Sequence, residues 1–124
     1  MSGYCLDAGA LIAIERGALN LLPGLIGALE DGLHVHVPAG ALAQVWRGGS
    51  RQARLSRFVA ADGVRVIAFD EEVARDVGVL CGLTGTSDVV DAHVAFHAHM
   101  EGLAVITSDP DDLRAFGPLE IVTI

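Results

Sequence analysis

Residues 3–17, GYCLDAGALIAIERG, read as a short strand, Gly3–Leu6, running without a linker into a helix, Ala8–Arg16, with Asp7 at the junction. The same succession returns in residues 104–116, AVITSDPDDLRAF: a strand at Ala104–Thr107, Asp109 at its exit, and a short helix at Asp111–Phe116. Working outward, a helix is predicted over Leu19–Asp31 and a strand over His34–Val37, closed by Pro38. Helices follow at Ala39–Arg47 and Arg51–Ala60, divided by Gly48-Gly49. The rest reads as a strand at Arg65–Phe69, helices at Glu71–Cys81 and Ser87–His99, and a last strand at Ile121–Thr123. Strands separated by helices predict a parallel α/β sheet with helices on both faces. In such sheets, sites form outside the carboxyl ends of the strands.

The 124 residues predict one domain, 1–124, with 52% hydrophobic residues to fill its core. No uncharged apolar window reaches the ~20 residues of a membrane span. The opening residues lack a basic region, and Asp7 interrupts their apolar run, so no secretory signal is expected. Cys5 and Cys81, far apart and outside any CxxC pattern, suit a reducing cytoplasm. The net charge is −8 and every basic side chain is arginine. The absence of lysine removes the Walker A loop, Schiff-base chemistry and the receiver domains that set a lysine beside their aspartates. An acidic chain binds nucleic acid only through a local basic face or bound cations.

Residues 87–99, SDVVDAHVAFHAH, place Asp91 on an apolar helical stripe with Val94, Ala95 and Ala98. A carboxylate carried inward is costly unless paired or metal-bound. Asp7 and Asp109 stand at strand exits, and Asp111 and Asp112 follow closely. Singly, Asp7, Asp88 and Asp109 read equally as helix caps. Together, three elements deliver carboxylates to one sheet edge. Such a set, without cysteine or clustered histidine, suits hard Mg²⁺ or Mn²⁺ and does not suit zinc.

LDAGALIAIERG, DVVDAHVAFHA and AVITSDPDDLRAF together resemble, in order and spacing, the three acidic motifs of PIN-domain ribonucleases, and most nearly the VapC-type toxins of bacterial toxin–antitoxin pairs. The resemblance spans essentially the whole chain. It implies a PIN-like sheet and an endoribonuclease in which Mg²⁺ or Mn²⁺ activates water for phosphodiester cleavage. Asp7, Asp91 and Asp109 would be catalytic and metal-binding, with Asp112 a further ligand and Asp88 an auxiliary one. It also implies a cognate antitoxin that holds the toxin inactive. The family's glutamate after the second strand is replaced here by Gln44, which lends a carbonyl oxygen but no charge. Glu15, one helix away, reads as a surface acid.

Arg47, Arg51, Arg54 and Arg57 recur at near-helical spacing and form a candidate RNA-binding ridge, or else a solvated face. Trp46 beside them reads as core, with stacking on a base as the alternative. His93 and His97 lack the glutamate that a zinc-peptidase helix needs after its first histidine, since Val94 stands there, so packing is expected of them. His34 and His36 read as core or edge residues. The apolar run LNLLPGLIGAL is a candidate groove or homodimer contact, or plain core. A PIN-like regulator that binds RNA or antitoxin without cutting is the nearest rival. A haloacid-dehalogenase-type phosphatase would need a second aspartate two residues after Asp7, and a lysine. Gly9 occupies that position, and there is no lysine.

Overall fold

The computed structural model describes residues 2–124. Five strands, β1 (Gly3–Leu6), β2 (His34–Pro38), β3 (Val64–Ile67), β4 (Ala104–Thr107) and β5 (Ile121–Thr123), form one sheet in the order β3-β2-β1-β4-β5. Every pairing is parallel, with Cys5 opposite His36 on one side and Val105 on the other. The central strands explain why their sequences lack strict alternation. β4 is buried at all four residues and β2 from Val35 onward, as in strands covered on both faces. The edge strands β3 and β5 contain no fully buried residue.

The helices are α1 (Ala8–Arg16), α2 (Leu21–Glu30), α3 (Ala39–Val45), α4 (Ala53–Val59), α5 (Glu71–Thr84), α6 (Val89–Glu101) and α7 (Pro110–Arg114). Leu6, Leu11, Ile14, Val35, Val37, Leu55, Val94 and Val105 lie in one core cluster that joins sheet and helices. A smaller cluster of Val77, Cys81 and Ala92 seals α5 against α6. Cys5 and Cys81 are both buried free thiols. Among the described residues no single helix is long and apolar enough to cross a membrane.

Element boundaries depart from the sequence expectation for local reasons. The second helix starts at Leu21, not Leu19, because Leu19 and Asn20 adopt left-handed backbone (φ 62° and 51°). Within α2 only Leu25 is fully buried, while Leu19 and Ile26 stay exposed, so the apolar run is not plain core. The third helix ends at Val45 because Trp46 turns extended (ψ 125°). A 3₁₀ turn at Ser50–Gln52 then leads into α4. β3 runs Val64–Ile67, since its pairing partner β2 ends at Pro38, opposite Ile67. α5 continues to Thr84, where Gly85 terminates it in left-handed backbone.

Candidate active site

The strand order reverses direction between β1 and β4: β2 and β3 extend to one side, β5 to the other. Such a switch point opens a crevice at the carboxyl ends of the two strands. Asp7 leaves β1 there, and Thr107, Ser108 and Asp109 leave β4. The exits are tied together by the Asp7 N–H, which donates to the Ile106 carbonyl (3.3 Å). They are also crowded. A Cβ on Gly9 would fall 2.3 Å from Ser108 Oγ and 3.4 Å from Asp7 Oδ1, so a side chain here would displace the Ser108 hydroxyl.

Asp7 is 6% exposed and caps α1, accepting from the Ala10 N–H at 3.0 Å. Burial pushes its carboxyl up. Hydrogen bonds from the Thr107 hydroxyl and the Ala10 and Gly9 N–H groups pull it down, and the charge of Asp109 pushes it up again. Thr107, wholly buried, also accepts from the Asp109 N–H at 2.9 Å. One hydroxyl thus fixes both strand-exit aspartates.

Asp88 caps α6, its Oδ1 accepting from the Asp91 N–H at 3.0 Å, while its own N–H donates to Thr86 Oγ1 (3.1 Å). Asp91, half-buried one turn on, is pushed up to about 7. Burial is the main cause, followed by the charge and hydrogen bonding of Asp88 and the charges of Asp112 and Asp7. A cavity of about 300 Å³ opens beside it, lined by Thr86, Asp88, Asp91, Asp111, Asp112 and Phe116. Asp111 is engaged with Arg114 at 2.8 Å. Asp109, although first in α7's cap position, makes no side-chain cap bond. The capping reading therefore holds for Asp7 and Asp88 and fails for Asp109. Asp7 feels the charge of Asp109, and Asp91 feels the charges of Asp88, Asp112 and Asp7. Among the described residues, however, no three His, Cys, Asp or Glu side chains converge on one point.

Other candidates lie elsewhere or behave differently. Gln44 is exposed on α3, one turn beyond Gly40, which lies against Val90 of α6. Glu15 is not a free surface acid, because its carboxylate accepts from Gln52 Nε2 at 2.8 Å. Trp46 is 40% exposed, which corrects its reading as core, because α3 ends before the indole can turn inward. Arg47, Arg51 and Arg54 are exposed, with Arg54 donating to the Glu15 carbonyl (3.1 Å). The histidines cluster away from the acids. His36 Nδ1 and His97 Nε2 share a hydrogen bond of 2.8 Å, and His93 packs edge-on against Phe69. They pack, as expected, but not fully satisfied: His36 Nε2 and His93 Nδ1 are buried without partners. Sequence reasoning missed Thr107, Ser108 and Thr86. The only cue was their position beside the aspartates.

The model of the PIN domain family matches residues 4–117. The chain belongs to the PIN domain family, whose members are generally nucleases and typically use divalent metals. Among solved structures it is similar to VapBC2 from Rickettsia felis, bound to a DNA fragment from their promoter. That match has 16% identity and a TM-score of 0.73, covering 98% of each chain. FitAB bound to an IR36 DNA fragment matches with 18% identity and a TM-score of 0.60, over 97% of this chain and 94% of that one. FitAcB from Neisseria gonorrhoeae matches with 18% identity and a TM-score of 0.55, over 97% and 96%. These likenesses establish the fold. No curated protein sequence matches.

Proposed function

We propose that the protein is a Mg²⁺- or Mn²⁺-dependent endoribonuclease, the toxin of a VapC-type toxin–antitoxin pair. Asp7, Asp91 and Asp109 form its metal-holding set, with Asp112 completing it and Asp88 assisting. The observation that carries this reading is that Asp7 and Asp109 stand at the β1 and β4 exits, where Asp7 feels the charge of Asp109 and Asp91 of α6 feels that of Asp7. That arrangement is unfavourable alone and is relieved by a cation. The donor set fits a hard ion: its oxygens come from carboxylates, with the Thr107 and Ser108 hydroxyls beside them. Hard divalent cations take one or two protein carboxylates and retain waters, so direct convergence of three is not required.

When bound, the cation supplies a water of lowered pKa and neutralises charge on the phosphoryl oxygens. The chain's own residues orient the set. Thr107 donates to the Asp7 carboxylate, favouring its charged form, and holds the backbone of Asp109 in place. Asp88 fixes the first turn of α6 and with it Asp91. A basic segment of a small antitoxin would neutralise the same acidic mouth. Exposed Leu19 and Ile26, in the apolar run LNLLPGLIGAL, give apolar surface for a homodimer contact. Two free thiols suit a reducing cytoplasm.

Gln44 favours a second reading, a PIN-like regulator that binds RNA or antitoxin without cutting. One experiment separates the two: incubation of total RNA with the purified protein in Mg²⁺ and then Mn²⁺, beside Asp7→Asn and an EDTA control. Discrete fragments that need the metal and vanish in the variant are expected. A folded wild type as silent as the variant in both metals would leave the regulator.

A further inference from the structure

Five of the eight basic residues, Arg16, Arg47, Arg51, Arg54 and Arg57, come from the end of α1 and from the segment running from the end of α3 through α4. All five are exposed. The two ion pairs among the described residues use Arg75 and Arg114, so none of the five is neutralised by a carboxylate. That is unexpected in a chain with 16 acidic residues. Trp46, the chain's single tryptophan, lies in the same segment and is 40% exposed.

The loop that presents Trp46 is held, not slack. Gln52, 4% exposed, fills all four hydrogen-bonding positions of its amide. Its Oε1 accepts from the N–H groups of Arg47 (2.7 Å) and Gly48 (3.0 Å). Its Nε2 donates to the Val45 carbonyl (2.7 Å) and to the Glu15 carboxylate (2.8 Å). Glu15 is thereby engaged by a neutral amide, and its backbone carbonyl accepts from Arg54 at 3.1 Å. Arg47 caps the end of α3 through the carbonyls of Ala43 (3.2 Å) and Trp46 (2.7 Å). An indole half-exposed on a held backbone, in the same segment as arginines without carboxylate partners, offers a π-face and positive charge together.

We propose that Trp46 with Arg47, Arg51, Arg54 and Arg57 is a docking platform for single-stranded RNA. The indole stacks on one unpaired base and the arginines meet the neighbouring phosphates. The choice of RNA rests on the ribonuclease reading above. A duplex is disfavoured because its bases are already stacked and present no free face to an indole. An acidic peptide would answer the arginines and leave the indole unused.

The test uses the full chain in EDTA, so that binding is read without cleavage, and the single tryptophan reports directly. Titration with a 12-nucleotide single-stranded RNA is expected to quench Trp46 fluorescence. A blunt-ended RNA duplex and a polyglutamate peptide should leave it unchanged. By anisotropy of labelled RNA, Trp46→Ala should weaken binding about tenfold and Trp46→Phe should restore most of it. Arg51→Gln and Arg54→Gln should each reduce the salt dependence by roughly 0.7 in log–log slope. Saturation with an unmoved Trp46 signal, or equal or tighter binding of the blunt-ended duplex or polyglutamate, overturns the platform. Single-stranded RNA that docks in EDTA but survives Mn²⁺ keeps the platform and sinks the ribonuclease reading. RNA that is cut while Trp46 stays silent does the reverse.

Discussion

Asp91 keeps its proton up to about pH 7 because burial and the neighbouring charges of Asp88, Asp112 and Asp7 oppose ionisation. An unfolded chain ionises the same group near 3.8. The folded protein therefore holds that proton more tightly, and Asp91 withdraws stability as pH rises from about 4 through about 7. Asp91→Asn should stabilise the metal-free protein at pH 7.5 by on the order of 1 kcal/mol after solvent screening, read as a higher Tm. Added Mn²⁺ should raise the wild-type Tm more than that of the variant. Equal Mn²⁺ responses would separate Asp91 from the ion. Thr107 acts on the other side of the mouth. Thr107→Val removes a buried hydroxyl bonded to both Asp7 and Asp109, and should cost about 1–3 kcal/mol in denaturant unfolding. The aspartates themselves were legible because each stands at a strand exit or in a helix's first turn. Thr107 was not, because a threonine ending a β-branched strand looks like ordinary strand composition.

The contact of β2 with α6 is built on imidazole as well as aliphatic side chains. His97 is pushed down to about 4, first by burial and then by the neighbouring His36, with Glu101 opposing. His36 is lowered by burial and by Arg65 and His34. Their unfolded values lie near 6.5. The neutral pair therefore contributes fully above about pH 6.5, and its contribution is lost as pH falls toward 4. His97→Gln should flatten the stability profile between pH 6.5 and 4. An unchanged slope would place the acid sensitivity elsewhere. The order and type of elements were readable from the alternation of strand and helix patterns. Their ends were not, because these depend on backbone angles at Leu19, Asn20 and Trp46 and on where β2 stops pairing. The same limit hid the exposure of Trp46. Composition says that an indole belongs inside, and one extended residue after α3 puts it outside.

Charge is unevenly divided over the whole molecule. Asp7, Asp88, Asp91, Asp109, Asp111 and Asp112 stand toward the carboxyl edge of β1 and β4, and half of the eight arginines lie on the segment from the end of α3 through α4. Screening should therefore act in two directions. Raising NaCl from 0.05 to 0.5 M should increase the Tm of the metal-free protein by easing carboxylate repulsion, while loosening RNA. Parallel salt responses would argue against separate acidic and basic regions. The parallel sheet was legible in the succession of strands and helices, but the pairing of β1 with β4 was not. No local pattern distinguishes one buried strand from another as a partner. That pairing has a temporal side. Asp109 follows Asp7 in the chain by 102 residues, the difference of their positions. At translation rates of about 5–20 residues per second, roughly 5–20 seconds separate the emergence of the two. A chain still on the ribosome before β4 emerges holds half a mouth and no switch point. The crevice at the carboxyl ends of β1 and β4 is therefore assembled late, only after β4 has been made.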